Sequence, residues 1–154
     1  MPVRVRCKSS AASVTEPTDG VLYADTSALV KLVVREAESD ALETEVARWD
    51  RIAASDIVSI ELSRAAARAR SEGRADAADG RVVLELLAAL SIVPMTDEVR
   101  ALAATMEPVE LRTLDAIHLS CALALGDELA GILTYDHRMA DAARSRGVAV
   151  IAPG

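Results

Sequence analysis

The chain has 154 residues, enough for one domain with its own hydrophobic core, and no stretch of it reads as a linker between two. Hydrophobic residues make up 51%, yet Phe is absent and aromatics are only 2%, so the core must be assembled from Ala, Leu, Val and Ile. The formal charge of −7 argues against a surface that attracts nucleic acid everywhere. It does not exclude a nuclease, because carboxylates gathered around a divalent cation add to the negative count while the ion reverses the local field. Apolar runs never exceed five residues, against the ~20 a membrane span needs, and the N-terminus lacks the apolar middle of a signal peptide. A cytoplasmic protein without membrane association is expected. Cys7 and Cys121 have no metal-ligand spacing, and Cys121, in LSCALAL, is expected to pack as a small hydrophobe.

Residues 1 to 19 mix small polar residues with scattered charge and are expected to form a flexible tail, leaving 20 to 154 as the domain. From Gly20 onward, short apolar runs alternate with long amphipathic segments. VLYA (21 to 24), RIAA (51 to 54), SIVPM (91 to 95), GILTY (131 to 135) and VAVIA (148 to 152) predict five strands, of which RIAA carries the weakest pattern. Between them lie ESDALETEVARWD, SDIVSIELSRAAARARSEG, ADAADGRVVLELLAAL, TDEVRALAATME, TLDAIHLSCALALG and DHRMADAARSRG. Several open on Ser, Thr or Asp and three end in Gly, the expected helix caps. Strands alternating with helices predict an α/β fold with a parallel sheet covered on both faces.

In such a sheet, ligands bind beyond the carboxyl ends of the strands, where strand order reverses. Asp25 ends VLYAD and Asp136 ends GILTYD, so two strands deliver carboxylates to one edge if they are neighbours. Glu61, in DIVSIELSRA, and Asp115, in LRTLDAIHLS, sit in apolar helical settings. A carboxylate there is costly unless hydrogen-bonded, paired or coordinated. Taken singly, each acid has a structural explanation: Asp25 and Asp136 as helix caps, Glu61 and Asp115 as solvated helix-edge residues. Taken together, four converging acids call for a divalent cation. Hard oxygen ligands suit Mg²⁺ or Mn²⁺, an assembly fit for phosphodiester hydrolysis. The hydroxyls of Thr26, Ser27 and Thr134 stand where they can orient those carboxylates or bound waters.

VLYADTSALVKLVVREAES, SDIVSIELSRAAARA, LRTLDAIHLSCAL and LTYDHRMADAARSRGVAVIAP, in this order, resemble the four acidic blocks of PIN-domain ribonucleases, most closely the VapC toxins of VapBC toxin–antitoxin modules. The resemblance covers about residues 21 to 152. It implies a PIN-like three-layer α/β/α sandwich with a parallel sheet of about five strands, the first and fourth adjacent. It also implies a Mg²⁺-dependent site formed by Asp25, Glu61, Asp115 and Asp136, with Asp25 and Asp115 the firmest ligands and Asp136 the most variable. The implied activity is endoribonuclease cleavage of structured tRNA, rRNA or mRNA by a homodimeric toxin held inactive by a VapB-like antitoxin. The helices within 38 to 50 and 55 to 72 are expected to leave a groove for an antitoxin helix.

His118 and His137 stand near acids, but packing is the preferred explanation for His118, since a metal-activated water needs no imidazole. Arg112 precedes the Asp115 helix and can reach phosphate; Arg64 and Arg68, four apart on one helix face, offer a weaker phosphate-tracking surface or a solvated one. Trp49 is expected to pack. Two other functions stay open: a PIN-like scaffold that binds RNA or protein without cutting, and a haloacid-dehalogenase-type phosphatase, whose required second Asp is replaced here by Ser27.

Overall fold

The computed structural model describes residues 19–74 and 79–154. The tail expected over residues 1 to 19 lies, apart from Asp19, outside them, as do Cys7 and the start of the ADAADG segment. Five strands form one parallel sheet: β1 (Val21–Ala24), β2 (Ile52–Ser55), β3 (Ser91–Val93), β4 (Leu129–Leu133) and β5 (Val150–Ile151). Their order is β3-β2-β1-β4-β5, so the first and fourth strands are neighbours, as the resemblance implies. Among the described residues, seven helices connect them: α1 (Thr26–Val33), α2 (Ser39–Val46), α3 (Val58–Ser71), α4 (Gly80–Ala89), α5 (Asp97–Ala104), α6 (Thr113–Leu123) and α7 (His137–Arg144). Among these described helices, none is long and apolar enough to cross a membrane.

All four residues of β1 are fully buried, which requires cover on both faces. Successive side chains of a strand point to opposite faces, and the core divides accordingly. Leu22 and Ala24 join one cluster with Leu29, Leu62 and Leu86, from α1, α3 and α4. Val21 and Tyr23 join the other with Val99, Leu119 and Met139, from α5, α6 and α7. The result is the three-layer sandwich. Cys121 is a free, fully buried member of the second cluster, and Trp49 packs against the first, with its indole N–H donating to Glu45 at 2.9 Å.

The cap signals are used. Thr96, Asp79, Asp25 and Asp136 each accept a backbone N–H in the first turn of the following helix. Gly73 and Gly147, which end two predicted segments, adopt φ of +76° and +74° and let the next N–H reach back five residues to a helix carbonyl. Two expectations need correction. β4 starts at Leu129 and stops before Thr134, because its backbone pairs from Val21 onward; Thr134, just beyond it, bonds Asp25 at the site, while the Tyr135 side chain turns to the Pro153 carbonyl. The groove expected between the second and third helices is not formed by that pair: α1 packs against both α2 and α3, so they flank a helix.

Candidate active site

β1 and β4 lie side by side at the centre of the sheet, at the point where strand order reverses, and Asp25 follows the end of β1. The Asp25 backbone N–H donates to Leu133 of β4 at 3.1 Å, which fixes the residue across the two strands. Asp25 is 4% exposed and both its carboxylate oxygens are engaged: Oδ1 accepts from Ser27 Oγ at 2.7 Å and from the Ala28 N–H at 3.1 Å, while Oδ2 accepts from Thr134 Oγ1 at 2.7 Å. Asp25 is therefore both a helix cap and a pocket carboxylate.

Ser27 and Thr134 tie this group to the β4 side. Ser27 Oγ accepts the Tyr135 N–H at 2.9 Å, and Thr134 Oγ1 accepts the Asp136 N–H at 3.1 Å. Asp136 caps α7, with Oδ1 accepting from the N–H groups of Arg138 and Met139 at 2.8 and 3.1 Å. Glu61, in the first turn of α3, is half-buried, and its Oε2 accepts from Thr26 Oγ1 and lies 2.9 Å from His118 Nε2. Asp115, in the first turn of α6, has an oxygen, Oδ2, that is buried without any hydrogen-bond donor. The helix-edge explanation thus fails for both residues.

A cavity of about 280 Å³ is lined by all four acids together with Thr26, Ser27, Arg112 and His118. The four predicted acids are brought to one pocket. Among the described residues, however, no three His, Cys, Asp or Glu side chains stand close enough to share one ion. Burial pushes the Asp25 carboxyl above its ordinary range, against the hydrogen bonds from Ser27 and Thr134. Asp115 is raised too, by burial first and then by the negative charge of Asp136, with Arg112 opposing. At Glu61 burial is the largest single influence and acts upward, but the hydrogen bonds from His118 and Thr26 together outweigh it and lower the carboxyl. The pocket thus gathers negative charge that its own donors offset only in part. Its donors are hard oxygens, of the kind Mg²⁺ and Mn²⁺ take.

Arg112 lines the pocket, whereas Arg64 and Arg68 lie on the exposed face of α3, three and seven residues beyond Glu61. His137 is exposed and outside the pocket lining. The residue that sequence reasoning undervalued is His118. It is buried, but as a hydrogen-bonded member of the site rather than a packing group. Two signals pointed to it: an imidazole and a Tyr, each inside an otherwise apolar element, both need polar partners when buried.

A parallel sheet in this order, with carboxylates converging beyond its central strands, defines a PIN domain, and the PIN-domain family profile matches residues 22–145. Ribonuclease VapC46 of Mycobacterium tuberculosis is 43% identical over 132 residues, covering 86% of this chain and 97% of the relative. Ribonuclease VapC47 of the same species is 38% identical over 138 residues, covering 87% and 98%. A solved structure of VapBC2 from Rickettsia felis, bound to a DNA fragment from their promoter, matches with a TM-score of 0.63 at 15% identity, over 87% of this chain and 99% of that one; this likeness is one of fold. The chain belongs to the VapC group of the PIN-domain family.

Proposed function

We propose that this protein is a Mg²⁺-dependent endoribonuclease, the toxin of a type II VapBC module, hydrolysing phosphodiester bonds in structured tRNA, rRNA or mRNA. The observation that carries the reading is the Asp115 Oδ2 atom, a carboxylate oxygen buried in the pocket with no donor of its own. An oxygen so placed is costly unless a cation or its water meets it. Asp25, Glu61, Asp115 and Asp136 line the pocket that would take the metal, and would have to close up around it, since no three of them stand close enough to share an ion as they are. When bound, Mg²⁺ supplies positive charge against the phosphate and lowers the pKa of a coordinated water.

The chain's own groups do the rest. The hydrogen bonds of Ser27 and Thr134 favour the ionised form of Asp25 against its burial, and Thr26 holds Glu61. Asp136 is kept in line by the first N–H groups of α7. Arg112, at the pocket rim beside Asp115, meets an RNA phosphate, and Arg64 and Arg68 extend that contact along α3. A homodimer and a cognate VapB-like antitoxin that covers the acidic pocket complete the proposal. Ser27, whose hydroxyl donates to Asp25, cannot replace the second Asp of a phosphatase.

The test is RNA cleavage by purified protein on pooled tRNA, rRNA and mRNA, with Mg²⁺, with EDTA, and with Asp25→Asn and Asp115→Asn. Cleavage that needs the metal and is lost in both variants is expected. Equal cleavage by wild type and variants, or cleavage unaffected by EDTA, would refute the assignment; intact RNA in every lane, with RNA still bound, would favour the non-catalytic module.

A further inference from the structure

His118 has no part in the chemistry above, yet it is 3% exposed beneath the pocket with both ring nitrogens engaged. The Tyr23 hydroxyl accepts the Ser55 N–H at 3.1 Å and lies 2.9 Å from His118 Nδ1. An ionised carboxylate can only accept, so the contact with Glu61 assigns a proton to Nε2, whichever way the phenol and Nδ1 share theirs. Nε2 faces Glu61 Oε2 at 2.9 Å and Thr26 Oγ1 at 3.2 Å. A chain of hydrogen bonds results, from the backbone of β2 through the β1 phenol and the α6 imidazole to a carboxylate on α3.

Thr26 and His118 both spend their hydrogen bonds on Oε2, and Oε1 accepts none from any described residue. Two donors on one oxygen fix the rotation of the carboxylate and leave the other oxygen free. The fully buried Tyr23 ties the other ring nitrogen to the backbone of β2 and so fixes where Nε2 points. We propose that His118 is a positioning residue: anchored by Tyr23, it pins Oε2 of Glu61 and reserves Oε1 for the divalent cation. The proposal rests on the Mg²⁺ reading of the site.

Mn²⁺ binding to the full chain, followed by the electron paramagnetic resonance of the free ion, tests it without reference to turnover. His118→Ala is expected to weaken Mn²⁺ binding by roughly 10-fold or more, the usual effect of losing a group that orients a metal ligand. His118→Gln, whose amide N–H can still donate to Oε2, should recover most of that affinity. In a Glu61→Gln background, His118→Ala should cost nothing further. An equal loss in both backgrounds would overturn the proposal by showing a general effect on the fold, and so would wild-type affinity in His118→Ala. If His118→Ala does not fold, Tyr23→Phe decides: a several-fold loss that disappears in the Glu61→Gln background supports the chain of bonds, and unchanged affinity refutes it. Absence of Mn²⁺ binding by the wild type would remove the metal reading and this proposal together, whereas normal wild-type binding with an unaffected His118→Ala removes this proposal alone.

Discussion

Replacing Thr134, a residue 1% exposed, by Val keeps the shape of the side chain and deletes only its hydroxyl, which serves Asp25 and Asp136 and makes a long contact of 3.4 Å with Ser27. The lost bond to the ionised Asp25 carboxylate is worth about 1.5–3 kcal/mol, and the part-buried Asp136 N–H left without an acceptor costs about 1 kcal/mol. The added methyl group offsets roughly 0.8 kcal/mol by burial. The net loss is about 2 kcal/mol, or a fall in Tm of roughly 4–8 °C for a domain of this size. Its pH dependence is the sharper test. Burial holds the folded Asp25 carboxyl above 3.8, so its ionisation opposes folding increasingly as pH rises from 3.8 through the folded value. Thr134 acts the other way: its bond favours the ionised form, so its contribution is present above the folded pKa and fades as pH falls through it. Urea unfolding followed by far-ultraviolet circular dichroism, at pH 7.5 and near pH 4, should show a larger cost for Thr134→Val at pH 7.5. In an Asp25→Asn background the cost should fall to that of a neutral hydrogen bond, about 1 kcal/mol. Equal costs at both pH values and in both backgrounds would mean that Thr134 matters only as packing.

Asp115→Asn should raise the Tm of the metal-free protein at pH 7.5 while abolishing cleavage, because burial and the charge of Asp136 raise the folded carboxyl and make its ionisation unfavourable. The gain appears as pH rises above 3.8 and is absent below it; a variant less stable than wild type at pH 7.5 would contradict this. Gly20→Ala should cost about 2 kcal/mol in urea unfolding with the pocket chemistry intact, since Gly20 has φ of +102° and a Cβ there would lie 3.0 Å from both the Glu128 carbonyl oxygen and Ala130 Cβ. An unchanged midpoint would show that the turn into β1 relaxes freely. Arg64→Ala with Arg68→Ala should weaken RNA binding and reduce the slope of log K against log salt by up to ~1.4 for two lost single-strand phosphate contacts. A slope equal to wild type would place the RNA elsewhere.

All five strands were legible because buried parallel strands read as short Val-, Ile- and Leu-rich runs, and even RIAA, the weakest, is β2. The start of β4 was not: Leu129 and Ala130 follow the charged turn Gly126–Glu128, and only pairing with β1 makes them strand. The acids could be named from their settings, and Asp25 and Asp136 show why single residues mislead, since each caps a helix and also lines the pocket. His118 was undervalued for a spatial reason. Its side-chain partners, Tyr23, Thr26 and Glu61, stand 95, 92 and 57 positions away in the chain, beyond any local periodicity. A helix pattern records that a position is buried; it does not record what waits on the other side.

The alternation of β1 between two separate cores has a spectroscopic consequence. Trp49, the single tryptophan, packs only against the core shared by α1, α3 and α4, and Tyr23 only against the core of α5, α6 and α7. Indole emission therefore watches one side of the sheet, and, with Cys7 replaced by Ser, a label at the buried thiol of Cys121, reacting only when the other side opens, watches the second. Comparing the two signals during unfolding would show whether the layers part together or one at a time, in a protein whose pocket acids are drawn from helices of both.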